Sequence, residues 1–171
     1  DQDLIIDKIL ISHSHHDHVR YLDDFISLYR NVEVIISEKT KMDIDNNSRY
    51  IAHNEIFFIG ESMVLALHTP GHFFDSICYL VKDENIAFTG DTMFVGRTGR
   101  TMSSGSNIED LYHSIYKILL KLPLETVIYP GHHYGFKKYI SLKENIFYSN
   151  FFKCKSLSEF KIVMKNFEEN R

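Results

Sequence analysis

The segment His13-Ser14-His15-His16-Asp17-His18 directly follows an apolar run at residues 4–11. That run is rich in β-branched residues and predicts a strand, with a helix as the alternative for its first half. Histidine nitrogens and a carboxylate are the ligands that borderline divalent metals prefer. Alternate residues of an extended segment point the same way, so His13 and His15 can bind one metal ion. Asp17 and His18 then reach past the bend toward a second ion. A solvated polar loop is the alternative, but four histidines and one aspartate in six residues favour a metal site.

Three further ligand candidates each follow a predicted strand. They lie in Thr69-Pro70-Gly71-His72, Thr89-Gly90-Asp91-Thr92 and Tyr129-Pro130-Gly131-His132. A rigid Pro-Gly turn can aim a histidine, and the two oxygens of Asp91 allow it to bridge two ions. Taken singly, a histidine or an aspartate after glycine is often only a turn residue. Together, and in this order after the first motif, the three candidates point to the same metal site.

The rest of the chain alternates between strand and helix patterns, which predicts a layered α/β architecture. Apolar and β-branched runs predict strands at residues 32–36, 76–81, 85–89 and 127–129, and a hairpin over 57–67 that turns at Gly60-Glu61. Helical spacing of apolar residues predicts helices over 19–29, 108–122 and 157–167, and the polar segment 39–48 is a further helix candidate. Asn107 and Ser156 are the predicted caps of the last two helices, and Pro123 ends the first of these.

Composition narrows the class of protein and its partners. The chain has 171 residues, of which 44% are hydrophobic, and a formal net charge of −4, which suits one globular domain. No Lys/Arg cluster is present, so a nucleic-acid partner is not expected. Cys78 and Cys154 are not in a CxxC spacing, which favours a reducing compartment such as the cytoplasm. No apolar run is long enough to span a membrane. The chain begins at Asp1 without a visible signal peptide, and an organellar location stays open because the N-terminus looks incomplete.

The histidine-rich motif, followed in order by His72, Asp91 and His132, resembles the metallo-β-lactamase superfamily. The resemblance implies one domain over residues 1–171 with the αββα sandwich of that family. Family members usually begin with a hairpin and a strand that this chain lacks, so a domain truncated at its N-terminus is expected. The resemblance also implies two divalent metal ions, with zinc favoured over iron or manganese. His13, His15 and His72 would hold one ion, Asp17, His18 and His132 the other, and Asp91 would bridge them.

Single positions favour one branch of the family. Asp91 stands where the antibiotic-hydrolysing branch tends to carry Cys, and His15 stands where flavodiiron proteins carry Glu. The segment 90–100 is similar to that of glyoxalase II and of persulfide dioxygenases, both of which act on glutathione conjugates. Residues 111–115 and 128–132 add to this similarity, and the Arg100-Thr101 pair looks more like that of the dioxygenases. Met102 departs from the aromatic residue of the hydrolases, and Met102-Ser103 departs from the Asp-Phe pair of the dioxygenases.

The expected activity is hydrolysis of a small thioester or ester by metal-activated hydroxide, with Asp17 or Asp91 as catalytic proton acceptor. The substrate is a small molecule, with a glutathione conjugate as the candidate. The alternative is an oxygenase with one iron ion held by His13, His72 and Asp91, acting on glutathione persulfide. A non-catalytic metal-dependent binding protein is a third hypothesis.

Arg100, on a glycine-flanked loop, is expected either to hold a substrate carboxylate or to be a surface cation. The sequence carries no signal of oligomeric state.

Overall fold

Two β-sheets pack face to face in the computed structural model, which describes residues 6–44 and 47–170. The smaller sheet is parallel and has the order β1 (Lys8–Leu10), β2 (Glu33–Ser37), β3 (Ser48–Ile51). The larger sheet has six strands in sequence order: β4 (Ile56–Ile59), β5 (Ser62–His68), β6 (Ile77–Val81), β7 (Ile86–Gly90), β8 (Val127–Pro130) and β9 (Ile140–Ser141). Tyr79 joins the two sheets, because its buried hydroxyl donates to the carbonyl oxygens of Ile11 and Ile35.

Helices cover the outer faces of both sheets. The α-helices are α1 (His16–Val19), α2 (Leu22–Leu28), α3 (Ile108–His113), α4 (Leu142–Tyr148) and α5 (Leu157–Glu169). The chain continues from α3 through a π-helical segment, Ser114–Ile118, and a 3-10 turn, Leu119–Lys121; another 3-10 turn is Asn150–Phe152. Within the part of the chain that the structure describes, every helix is too short or too polar to cross a lipid bilayer.

Three apolar clusters fill the spaces between the four layers. Leu22 of α2 packs on Val34 and Ile36 of the smaller sheet. On the opposite face of that sheet, Ile35 and Ile51 pack against the larger sheet. The largest cluster lies between the larger sheet and the later helices, and its fully buried members include Ala87, Ile128, Leu111, Ile115, Leu142 and Phe160. The layers are therefore helix, sheet, sheet, helix, which confirms the αββα prediction.

Most predicted elements are present with small changes of boundary. The hairpin turns at Gly60, whose φ of +58° is easy for glycine. The Asn107 side chain accepts from the amides of Glu109 and Asp110, and Ser156 caps α5 as expected. The strand predicted over 4–11 is described only in part, as residues 4 and 5 lie outside the described residues.

Three expectations need correction, and two elements were not predicted. No helix forms in the described part of the polar segment 39–48, because Ser48 already begins β3 and pairs with Val34 of β2. The helix expected over 19–29 is split between α1 and α2, with a turn at residues 20–21. The helix expected over 108–122 is α-helical only to His113. The sequence reading also missed β9 and α4, although Ser141 caps α4 by accepting from the Glu144 amide.

The topology brings several strand ends to one edge of the sandwich. Strands β5 and β7 are both antiparallel to β6, so they run the same way, and β8 is parallel to β7. The segment after β1 reaches the same edge, because the Ile77 amide at the start of β6 donates to the Ser12 carbonyl at 2.8 Å. The loops after β1, β5, β7 and β8 therefore meet, and they carry the residues singled out in the sequence.

Candidate metal centre

The loop after β1 is held so that its histidines point into the edge of the sandwich. The Ser14 amide donates to Oδ1 of the buried Asp75 at 3.2 Å. The Ser12 hydroxyl lies 3.1 Å from Nδ1 of His13, which leaves Nε2 of this histidine facing the site. His13 is 1% exposed, whereas the neighbouring His16 is exposed to solvent.

Three histidines converge at the inner side of the site. Nε2 of His13 lies 3.1 Å from Nδ1 of His15, and the same Nδ1 lies 3.0 Å from Nε2 of His72. Neutral imidazole nitrogens that face one another at this distance suit a shared cation, because each can offer a lone pair to it. We call His13, His15 and His72 the three-histidine group.

A second set of ligand atoms lies toward solvent. Oδ2 of Asp17 is 3.1 Å from Nε2 of His132, and this nitrogen is 3.2 Å from Nε2 of His18. Nε2 of His18 lies 3.8 Å from the same Asp17 oxygen. We call Asp17, His18 and His132 the mixed group, because it combines a carboxylate with two imidazoles.

Asp91 lies between the two groups. Its Oδ2 is 3.7 Å from Nε2 of His72 and 3.6 Å from Nε2 of His132, and its Oδ1 is 3.3 Å from Nε2 of His18. The Asp91 side chain is buried, and its Oδ1 has Nε2 of His18 at 3.3 Å but no hydrogen bond of good geometry from the described residues. A buried carboxylate oxygen without a hydrogen bond is costly unless a cation satisfies it.

Glycine at position 131 allows this crowding. A Cβ atom there would lie 2.6 Å from Oδ1 of Asp91 and 2.9 Å from Cε1 of His18. Gly99 closes the other side in the same way, since a Cβ atom there would collide with the backbone oxygen of Asp91 and reach Nδ1 of His72. Both glycines therefore let the backbone approach the ligand atoms closely.

Burial and charge set the ionisation of the two groups differently. Burial, with the charges of neighbouring histidines, lowers the pKa of His13 to about 2. Burial also lowers the pKa values of His15 and His72. Burial opposes the charged form of His18 too, but the carboxylates of Asp91 and Asp17 outweigh it and raise the pKa of His18. The three-histidine group is thus neutral near pH 7, which is the form that binds metals.

A hydrogen bond on the side away from the site orients the His72 ring. Its Nδ1 lies 2.9 Å from the backbone carbonyl oxygen of Arg100. Because a carbonyl only accepts hydrogen bonds, Nδ1 carries the proton and Nε2 presents its lone pair to the site. The loop after Asp91 therefore contributes a backbone group to the site, which side-chain patterns in the sequence do not reveal.

A cavity of about 440 Å³ opens over the site. Besides five of the predicted metal ligands, it is lined by residues of the loop 97–103 and by the aromatic side chains of Phe94, Tyr134 and Phe167. The Arg100 side chain lines this cavity, with its guanidinium carbon 5.7 Å from the centre of the Phe167 ring. Met102 lies at the rim and is largely exposed.

The structure brings together every residue that the sequence singled out for the site. The seven predicted ligands are His13, His15, Asp17, His18, His72, Asp91 and His132, and their ligand atoms fall into overlapping groups within 4.8 Å. These groups match the two expected sets, and they also place His13 beside His18 and Asp91. The sequence reading missed Ser12, the Arg100 carbonyl and the lining residues Tyr134 and Phe167.

Comparison with known proteins identifies the family. The profile of the metallo-β-lactamase superfamily matches residues 2–132, and the chain belongs to this superfamily. A probable polyketide biosynthesis zinc-dependent hydrolase, BaeB, of Bacillus velezensis is 33% identical over 155 residues, 85% of this chain and 66% of that protein. A hydroxyacylglutathione hydrolase of Bartonella quintana is 36% identical over 129 residues, 75% of this chain and 49% of that protein. The chain thus spans about half to two thirds of the length of these relatives.

A solved structure gives the same result for the fold. The crystal structure of ETHE1 from Myxococcus xanthus matches with a TM-score of 0.85 and 31% identity, covering 99% of this chain and 72% of that one. The match extends over the whole sandwich, including the C-terminal helices that lie beyond the family profile.

Proposed function

We propose that this chain is a metal-dependent hydrolase of small thioesters or esters, of the hydroxyacylglutathione hydrolase type. The observation that carries the proposal is Asp91, a buried carboxylate placed between two complete sets of ligand atoms. Oδ1 of Asp91 lies near His18, and Oδ2 lies near both His72 and His132. A carboxylate in this position suits a bridge between two cations.

The donor set fits two divalent ions. We assign His13, His15 and His72 to one ion, Asp17, His18 and His132 to the other, and Asp91 to both. Imidazole and carboxylate ligands are typical of zinc, and they also suit iron and manganese. Zinc is the ion we propose, which agrees with the zinc-dependent hydrolase among the relatives.

The two ions, when bound, supply a hydroxide nucleophile at neutral pH and polarise the carbonyl that it attacks. Asp17 lies on the cavity wall, and its pKa is lowered because the nearby His18 and His132 outweigh the effect of burial. It is therefore a carboxylate that can accept a proton from the nucleophile, a role that Asp91 could share. Arg100 lines the same cavity and can hold a carboxylate of the substrate by paired hydrogen bonds.

Thiol release from S-lactoylglutathione in the presence of zinc tests this proposal. The matched pair of variants is His15→Ala and His16→Ala, because these neighbours differ in that only His15 faces the site. We expect hydrolysis by the unaltered chain and by His16→Ala, and a loss of at least about a hundredfold in His15→Ala, above the range for outer partners of metal ligands. Equal loss in both variants, or no hydrolysis of any acylglutathione, would refute the proposal.

The second candidate is a mononuclear iron dioxygenase acting on glutathione persulfide. The observation that favours it is the Arg100-Thr101 pair, which resembles the corresponding pair of persulfide dioxygenases. In this case His13, His72 and Asp91 would hold a single iron ion, and the mixed group would have no metal to bind. Oxygen uptake with glutathione persulfide, together with one iron ion per chain, would establish this candidate instead.

A further inference from the structure

The last turn of α5 touches the loop that orients His72. Oε1 of the half-buried Glu168 accepts a hydrogen bond from the Thr101 amide at 2.7 Å and a second from the Thr101 hydroxyl at 3.1 Å. These contacts join residues 67 positions apart in the sequence. Glu169, the next residue of the helix, is exposed, and its Oε1 lies 3.9 Å from Nζ of Lys165 at the surface.

One peptide group connects Glu168 to His72. The Thr101 N–H and the Arg100 C=O belong to the same amide, between residues 100 and 101. Its N–H donates to Glu168 at 2.7 Å, and its carbonyl accepts from Nδ1 of His72 at 2.9 Å. The N–H and C=O of a trans peptide point in opposite directions, so Glu168 and His72 lie on opposite sides of this amide.

A carboxylate on the N–H side makes the carbonyl a better acceptor, because hydrogen bonds in a chain polarise one another. The Arg100 carbonyl then holds the proton on Nδ1 of His72 more firmly and makes Nε2 a better ligand. Carboxylates often act directly on metal-binding histidines in this way. Here a peptide group stands between the carboxylate and the imidazole.

We propose that Glu168 is a positioning residue for the metal centre, acting through the amide between Arg100 and Thr101 on His72. The inference rests on the proposed metal site, but it concerns a segment outside the family profile, which ends at residue 132. If Glu168 has this role, helix α5 contributes to the metal site as well as packing on the larger sheet.

Two measurements on the full chain test the inference. The first is the tautomer of His72 in the metal-free protein, read from proton–nitrogen NMR correlations. The second is zinc affinity, measured by competition with a chelator. For Glu168→Ala, we expect mixed His72 tautomers and zinc binding about tenfold weaker, the lower end of the range for outer partners of metal-binding histidines.

Three further variants separate positioning from general stability. Glu168→Gln keeps an acceptor without the charge, so it should retain the Nδ1–H tautomer and bind zinc with an affinity between those of Glu168→Ala and the unaltered chain. Thr101→Val removes only the hydroxyl contact and should bind zinc almost normally. Glu169→Ala is the matched control in the same turn and should change neither measurement.

The possible results separate a failure of the Glu168 inference from a failure of the proposed function. If Glu168→Ala keeps both the His72 tautomer and the zinc affinity, the inference is wrong. If Glu168→Ala does not fold, Glu168→Gln decides, and zinc binding equal to that of the unaltered chain overturns the polarisation argument. If the unaltered chain binds no zinc, the proposed function fails, while the His72 tautomer, measured without metal, still decides whether Glu168 acts on His72.

Discussion

The three-histidine group and the mixed group differ in burial although they share Asp91 as a neighbour. His13 is 1% exposed and the His72 side chain 12%, whereas the side chains of His132 and Asp17 are 30% and 61% exposed. Two histidines of the first group make hydrogen bonds on the side away from the site. His13 contacts the Ser12 hydroxyl, and His72 donates to the Arg100 carbonyl oxygen. Both groups contribute two ligands to the cavity wall, His15 and His72 from the first and Asp17 and His132 from the second, but the most exposed ligand side chains, those of Asp17 and His132, belong to the mixed group.

Removing one ligand from each group is the strongest test of this difference. We expect His13→Ala to release most of the bound metal, because it removes a buried ligand beside both sets. We expect His132→Ala to release about one of the two ions, because the three-histidine group remains intact. Metal content per chain, measured for both variants, checks the prediction. Unchanged metal content in His13→Ala would show that the ligand assignment is wrong.

A larger side chain at residue 131 tests how tightly the two groups meet. In Gly131→Ala the new Cβ would lie 2.6 Å from Oδ1 of Asp91, so Asp91 and His18 must shift. We expect weaker metal binding by about tenfold, as for other changes that disturb the orientation of ligands. Gly60→Ala is the control, because Gly60 has a φ of +58° but no atom within 4 Å of an added Cβ. That change should cost about 1 kcal/mol of stability and leave metal affinity unchanged.

The variant Arg100→Ala tests whether the Arg100 side chain binds substrate in the cavity. The Arg100 side chain lines the cavity, but only its backbone carbonyl contacts His72. We therefore expect unchanged metal content, a higher KM and a smaller change in kcat. The lost contact would bind the substrate about equally in the ground state and in the transition state. Steady-state kinetics on S-lactoylglutathione provide the check. If both constants are unchanged, Arg100 is an ordinary surface cation.

The smallest expected effect is an opposite pH dependence in the two groups of the metal-free protein. The folded-state pKa of His13 is about 2, below its ordinary value of 6.5, so protonation favours the unfolded state. Its contribution to stability is fully present above pH 6.5 and is lost as pH falls from 6.5 toward 2. His18 has a raised pKa, so its contribution is present below the ordinary value of 6.5 and is lost as pH rises through its folded pKa.

Urea unfolding of the metal-free chain at pH 5.5 and 7.5 measures this difference. His13→Asn should reduce the loss of stability at the lower pH, and His18→Asn should increase it. The same sign of change in both variants would contradict the difference in ionisation between the two groups.

The sequence was most informative where ligand residues follow strands. The histidine-rich motif and the residues His72, Asp91 and His132 could be recognised because each follows a strand, and parallel strands bring such positions to one edge. The Arg100 carbonyl could not be recognised, since every residue has one and only the folded loop aims it at His72. Phe167 and Glu168 lie far along the chain, and only the packing of α5 brings them to the site.

Local patterns also failed where tertiary pairing decided the structure. The polar residues around Ser48 carry little strand signal, yet pairing with β2 makes Ser48–Ile51 a strand. The regular apolar spacing of residues 108–122 predicted one continuous α-helix, but the backbone changes to a π-helical segment at Ser114. The Ser114 hydroxyl donates to the Pro70 carbonyl in the loop before His72, a contact that spacing along the helix does not encode.

The proposed function requires that the three-histidine group and the mixed group hold two metal ions around Asp91. Elemental analysis of the purified, zinc-supplied chain tests it most directly. We expect two divalent ions per chain, falling to about one in His132→Ala and to almost none in His13→Ala. A single ion per chain that is unaffected by His132→Ala, or no bound metal, would contradict it.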